Sequence, residues 1–310
     1  MFKKSIVTLF LSFSLLLTPA AAEEAKQSSE NNGTFSFLPS FSSEKLSPEE
    51  LDKRVLYTNL AATGMVVVWG VAFWDYFKAK PQWGHEGWFG SDTKYGGADK
   101  FGHLYSTYLW SLGFASLYEY WGMDEEQSMI YGPLSAWMVQ GLMELGDSFS
   151  DTQGFSYEDM VMNTAGAIFY YLRERYPAVK KRVDLRLEYL PDFSGGGDIF
   201  TQYNSMKYLL AFKFSGFESL NKGWLKYGEV HLGYYTRGYQ NHESYRKKER
   251  VVYLGLGINL SELFKTAGWK KTGKIFNYYQ APYTYVPFGY DFDSKSYVAP
   301  YSRPYHGSQF

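Results

Sequence analysis

The chain has 310 residues, 45% hydrophobic and 20% aromatic, and its formal net charge is −1. It contains no cysteine, which excludes a disulfide framework, a thiol nucleophile, a thiolate metal site and a lipid-modified N-terminal Cys. The near-neutral total hides a split: Glu23 to Tyr176 carries 21 acidic and 10 basic residues, whereas Pro177 to Phe310 carries 11 acidic and 19 basic, net −11 against +8. Such asymmetry predicts two domains, with the basic one facing anionic headgroups or lipopolysaccharide, or docking on its acidic neighbour.

Lys3 and Lys4, the apolar run Ile6 to Leu17 and Ala20-Ala21-Ala22 read as a secretory signal peptide over 1–22. Residues 23–48, rich in Ser, Glu and Asn, read as a disordered leader. A helical domain is expected over 49–180 and a β-rich domain over 181–310, an α+β chain.

Four apolar helices are predicted. The first opens at Ser47-Pro48-Glu49-Glu50, with Pro at the first helical position and acids in the first turn, and runs to about Ala79. Val55 to Trp74 has no charge and reaches the length of a membrane span. The second covers about Ala98 to Tyr120. The third covers about Asp124 to Asp147, with a kink expected at Gly132-Pro133. The fourth covers about Tyr157 to Tyr176 and stops at Pro177. Small residues such as Gly102, Ser106, Ser135, Gly141 and Gly166 permit close helix–helix approach.

Three polar motifs interrupt these apolar helices: Asp99-Lys100-Phe101-Gly102-His103, Glu144-Leu145-Gly146-Asp147, and Gly154-Phe155-Ser156-Tyr157-Glu158-Asp159 running on to Asn163 and Gly166. Spacings of three and four place each set on one helix face. Charges among apolar neighbours must pair, bind something or reach water, so the motifs predict one shared polar centre. On the functional reading His103, Glu144 and Asp147 are the candidate catalytic group, and Asp99, Lys100, Ser156, Asp159 and Asn163 form a polar network or ligand site around them. On the structural reading Asp99 is an N-cap, Ser156 and Asp159 form a capping box, Asn163 ties helices together, and His103 with Glu144 is a buried pair. A divalent ion held by Asp99, His103, Glu144 and Asp147 is a further option, although HExxH is absent, as are G-x-S-x-G and the Walker and dinucleotide glycine motifs. No cofactor is named by the sequence.

At these residues the chain resembles the YfiM-like family of envelope proteins, described as predicted periplasmic lipoproteins. The order D-K-x-x-H, a glutamate helix, then S-x-x-D-x-x-x-N-x-x-G is also similar to the VanZ-like membrane proteins. The resemblance covers about Trp69 to Tyr176. It implies an envelope location and a helical fold, and neither family supplies a reaction. The missing lipobox cysteine and the long β-rich half depart from the pattern.

From about Val183 the periodicity changes to two. Val252, Leu254, Leu256, Ile258 and Leu260 alternate with Tyr253, Gly255, Gly257 and Asn259, and similar stripes occupy Met206 to Phe214 and Val230 to Arg237. Shorter strands are expected at Arg186 to Tyr189 and Ile199 to Tyr203, with one or two more between Ile275 and Tyr290. Turns fall at Ser194 to Gly197, around Asn221-Lys222-Gly223, and across Asn241 to Lys248. Two architectures fit: an antiparallel sheet or partial barrel that packs its apolar face on the helices, and a small transmembrane barrel. His231 and His242 are read as structural or exposed, not as ligands.

Three functions remain: an exported, non-catalytic envelope protein with a structural or binding role; an enzyme acting on an envelope lipid or glycan, with Asp99 or Glu144 as base and His103 as acid or ligand; and a small lipid- or ion-binding module. The partners expected are membrane lipid or envelope components. Nucleic acid is not expected, and a protein partner is left open. The expected location is periplasmic and membrane-associated, the outer membrane favoured over the inner.

Overall fold

The computed structural model describes residues 46–84, 86–191, 198–240 and 247–299. The expected signal peptide, most of the leader, His85, the Ser194 to Gly197 turn, most of the turn after Asn241 with His242, and the terminal Phe310 lie outside these residues. By compactness the chain divides into two units. One takes residues up to 85 with Ser106–Tyr171; the other takes Glu86–Tyr105 and everything from Leu172.

In the first unit, helix α1 is Pro48–Phe73. Its start is a complete capping box, with Ser47 and Glu50 each satisfying the other's backbone N–H. It ends about six residues before the expected Ala79, because the chain turns back after Trp74. Asp75 and Phe77 take positive φ, and the Tyr76 N–H donates to the Gly70 carbonyl at 3.3 Å. Helix α1 is long and apolar enough to cross a membrane by length and composition. Helices α2 (Ala98–Tyr120) and α3 (Glu125–Asp147) lie where the periodicity puts them, and α3 continues through Pro133 as one element. Helix α4 is Tyr157–Arg175. Pro177 ends it and then opens a further short helix, α5 (Pro177–Arg182), at the position Pro favours.

The first unit's core joins Ala62 and Val66 of α1, Phe114 and Tyr118 of α2, and Ala136 and Val139 of α3. A polar triad pins the same three helices: Asn59 donates to the Tyr118 hydroxyl at 3.0 Å and to Ser135 at 3.1 Å, and Tyr118 and Ser135 share a bond of 2.8 Å.

The second unit holds one sheet of six antiparallel strands in sequence order: β1 (Val183–Tyr189), β2 (Met206–Lys213), β3 (Gly228–Arg237), β4 (Glu249–Ile258), β5 (Tyr285–Asp291) and β6 (Ser296–Val298). The sheet is not closed. Residues 278–280 bridge the edge of β1, where the Leu187 N–H donates to the Tyr278 carbonyl and Gln280 donates back to Leu187. Ile199 to Tyr203 is not a strand. The segment passes through turns into a 3-10 helix at Tyr203–Ser205, and the Tyr189 hydroxyl donates to the Ile199 carbonyl instead of a ladder forming. Leu260 does not extend β4 either, because Asn259 caps helix α6 (Leu260–Thr266), followed by α7 (Lys270–Ile275).

Strand register sorts the residues by face. Leu185, Leu210, Leu232, Leu254 and Phe288 lie in one cross-strand row, and Val183, Phe212, Val230, Leu256 and Val286 in the next. The opposite face carries Asp184, Arg186, Glu188, Lys207, Lys213, Glu229, His231, Arg237 and Glu249, every one buried. The inner face is therefore rich in charge, interleaved with the apolar cluster of Leu209, Ala211, Tyr235, Val251, Tyr253 and Tyr285, and the outer face is apolar. Part of the apolar face is covered: Phe101 stacks on Tyr208 of β2 at 6.1 Å, and Phe89 meets Tyr234 of β3 edge-on at 5.7 Å. From Leu232 of β3 across β4 to β6 it is open. Leu254 is 57% exposed, Phe288 63% and Val286 78%. Packing of the whole apolar face on helices does not occur within this unit; the face is split between a covered and an open part.

Candidate functional site

The motif residues fall into two groups, one in each unit. In the first unit Glu144 sits on the last turns of α3, almost fully buried. Its Oε2 accepts the backbone N–H of Ser156 at 3.3 Å. The Ser156 Oγ accepts the N–H of Asp159 at 3.2 Å and donates to Glu158. This is the first half of a capping box at the head of α4. The reciprocal half, which sequence pattern assigns to the residue at position 159, is supplied from another helix by Glu144. A carboxylate also favours the positive end of the α4 dipole.

Asp147, three residues after Glu144, does a different job. The Tyr76 hydroxyl donates to the Met143 carbonyl at 2.9 Å. Burial first, and then the negative charges of Asp147 and Glu144, push that phenol far above its usual range and keep it neutral. Gly146 makes room for the ring, since a Cβ there would stand 2.4 Å from Tyr76. Asn163 ties α2 to α4, its Oδ1 accepting from the Thr107 hydroxyl at 2.8 Å. Gln140 donates to Ser106, so α3 is tied to α2 as well. Glu144 and Asp159 place carboxylate oxygens within 4.8 Å of each other, close enough to share one divalent cation.

In the second unit Lys100 is completely buried, and its ammonium bridges Asp99 at 2.7 Å and Glu86 at 2.9 Å. Asp99 is not an N-cap: α2 begins at Ala98, and Asp99 lies inside its first turn. Glu86 and Asp99 also bring oxygens within 4.8 Å. Glu86 was absent from the sequence reading because it precedes the motif in a loop without periodicity. His103 is half-buried, one turn beyond Asp99 on the same helix.

The larger polar assembly lies within the sheet, where alternation alone gave the strands but not the chemistry. Arg186 forks onto Glu229, Nη1 to Oε1 at 2.6 Å and Nη2 to Oε2 at 2.9 Å, and also reaches Gln280 at 2.9 Å and Asp184 at 3.0 Å. His231 pairs with Glu229 at 2.7 Å, a structural role. Asp184 further receives Arg173 at 2.9 Å and Lys213 at 2.8 Å. Burial alone would raise the Asp184 carboxyl, but Lys213, Arg186 and Arg173 together hold it down at about 2. Glu188 accepts Tyr285 at 2.6 Å and pairs with Lys207 at 3.2 Å. Burial lowers the Lys207 ammonium to about 8 despite Glu188. The bidentate Arg186–Glu229 fork and the shared cations on Asp184 are what make such burial tolerable.

Residues 85–175, which contain all three motifs, match a family described as predicted periplasmic lipoproteins (DUF2279). The match spans less than a third of the chain and ends before the sheet begins. It supports an exported envelope protein. No curated protein and no solved structure matches the chain. The cysteine that lipid attachment requires is absent from the sequence.

Proposed function

We propose that this is a membrane-docked envelope protein whose sheet rests its open apolar face in lipid, while the helical unit serves as a rigid body. The observation that carries the reading is the inversion of the sheet. A soluble sheet turns its apolar face to a core, whereas here eight buried charged residues and His231 lie on the inner face and a continuous apolar stripe over β3 to β6 meets the outside. Apolar-out, polar-in alternation is the pattern of outer-membrane strands, which favours that membrane. The end of the sheet where β3 and β5 begin adds interfacial anchors: Trp224, Trp269 and Tyr283 are strongly exposed, near Lys222, Lys270, Lys271 and Lys274. Aromatic and basic side chains together suit a headgroup layer, and net positive charge complements anionic lipid.

Flotation of the purified full-length protein with phosphatidylcholine vesicles tests this. Burying one Leu side chain is worth about 1.5–3 kcal/mol, so Leu254→Glu with Leu256→Glu should lower vesicle binding at least about tenfold without unfolding the protein. Unchanged flotation, or a variant that unfolds because the face is an internal core, would refute the reading.

The enzyme reading keeps one favourable observation, the approach of Glu144 and Asp159 in the first unit. The capping and tethering roles of Glu144, Ser156 and Asn163 already account for most of the polar groups around them, so the structural role is preferred.

A further inference from the structure

The second unit contains a cavity of about 610 Å³ below the sheet, walled by α5, the turn after β2 and the start of α6. Six of its lining residues are basic, Arg173, Lys180, Lys181, Arg182, Lys213 and Lys265, against two acidic ones, Glu218 and Glu262. Apart from Ala178 and Gly216 the rest is polar, including Ser215 and Asn277. It is a built site, because its base is the buried ammonium of Lys213, fixed by Asp184 at 2.8 Å and by the Lys180 carbonyl at 3.0 Å. Arg182 is likewise positioned, donating to the Gly216 carbonyl at 3.2 Å and lying over the Phe217 ring. Gly216 allows that wall to close up, since a Cβ there would stand 2.5 Å from the Lys181 carbonyl.

The charges do not cancel. Asp184 is one carboxylate facing three direct cations, Arg173, Arg186 and Lys213. Glu229 is spent on Arg186 and His231, and Lys180 on Glu174. Lys181, Arg182 and Lys265 form no salt bridge among the described residues. Burial lowers the Lys265 ammonium, and Arg173 and Arg186 lower it further, though Asp184 and Glu262 oppose them. The same two guanidiniums repel Lys213. Excess like charge in a half-dry cavity is costly until an anion enters, and a group with several acceptor oxygens answers several donors at once.

We propose that this cavity binds a phosphate ester, the group shared by anionic lipid headgroups and soluble phosphate metabolites. Lys181, Arg182 and Lys265 contact the phosphate oxygens, and Lys213 sets the charge of the floor. The cavity lies at the same end of the sheet as Trp224 and Trp269, so a headgroup source fits the docked arrangement, but the binding chemistry does not depend on docking.

The test uses the full-length protein in two arms. Calorimetric titration with glycerol 3-phosphate measures the soluble source. Flotation with phosphatidylcholine vesicles, with and without phosphatidylglycerol, measures the lipid source. The pocket variant is Lys181→Gln, Arg182→Gln, Lys265→Gln; the control, Lys80→Gln, Lys247→Gln, Lys295→Gln, removes equal charge from exposed positions outside both the pocket and the Trp224–Trp269 end of the sheet. A loss of about tenfold or more for the pocket variant alone, with its melting temperature kept, supports the site. The arm that shows it names the source. Equal losses for the two variants, or no phosphate-dependent binding in either arm, overturn the proposal. Repeating the titration on Leu254→Glu, Leu256→Glu separates it from membrane docking, because that variant should keep its phosphate affinity whether or not it floats.

Discussion

The two units bury charge for opposite reasons. In the helical unit Glu144 and Ser156 close the open end of α4 and Asn163 ties α4 to α2, each answering one or two backbone or side-chain partners. In the sheet unit an interlocked charge network runs across one face, from Arg173 through Asp184, Arg186 and Glu229 to His231, beside the apolar cluster of Leu209, Val251, Tyr253 and Tyr285. The first pattern decorates an ordinary apolar core. The second shares the interior with a small apolar and aromatic cluster and leaves much of the aliphatic face outside. Buried charge is therefore not by itself a sign of chemistry: its meaning depends on whether the surrounding face is apolar or polar.

The comparison is broken most severely at Arg186. Its removal leaves Glu229 buried without its principal partner and takes one of three cations from Asp184; breaking a buried pair in this way typically costs about 3–5 kcal/mol. Arg186→Ala should lower the chemical-denaturation stability by that order. A cost below about 1 kcal/mol would mean the sheet interior is wet and the network loose.

Acid should act on the same network. The Asp184 carboxyl is depressed in the folded state, so the unfolded chain binds its proton first. Stability from this group is full above about pH 4 and is lost as pH falls through about 2. The loss is about 2 kcal/mol. Lys207 gives a slope of the same sign in the basic range: its folded value is near 8, the unfolded chain holds the proton longer, and stability should rise between about pH 8 and 10.5. Denaturation midpoints measured across both ranges, with Asp184→Asn and Lys207→Met as references, would assign the slopes.

In the helical unit the expected costs are smaller. Ser156→Ala removes the cap of α4 and should cost about 1 kcal/mol. Glu144→Gln retains an oxygen for the Ser156 N–H and should cost less than Glu144→Ala, which removes it. If Glu144→Gln and Glu144→Ala were equally harmful, the carboxylate charge would matter beyond capping, and the enzyme reading would gain.

How far these contrasts could be read in advance differs by unit. The helices α2, α3 and α4 were legible to within a residue or two, because Asp124, Pro177 and the 3.6-residue stripe are local signals. The end of α1 was not, since it depends on Tyr76 finding Gly146, 70 residues away. Strands β2, β3 and β4 were legible from alternation, but which face was inside was not. Alternation gives two faces and no sign, and burial of the charged one depends on Arg186 meeting Glu229, 43 residues apart. The polar motifs were visible as motifs. Their division into a cap, a tyrosine clasp and a lysine bridge rests on Ser156, Tyr76 and Glu86, which lie outside or at the margin of each pattern.

The smallest expected effect is also the sharpest discriminator. On an ordinary sheet, Leu254→Ser at the centre of a central strand would remove a core side chain and cost about 2–5 kcal/mol. Here Leu254 is more than half exposed, flanked across the ladder by Leu232 and Phe288, which are exposed as well. Its truncation in aqueous detergent-free buffer should change stability by no more than about 0.5 kcal/mol. Tyr253, the next residue, points inward and stacks on Tyr285 at 5.8 Å. Tyr253→Ser should therefore cost several times more, about 3–5 kcal/mol. Adjacent positions on one strand, with the polar side carrying the stability and the apolar side carrying almost none, would establish the inversion in solution. A reversed ratio would show that the Leu254 face is covered there, by the other unit or by a second copy of the chain.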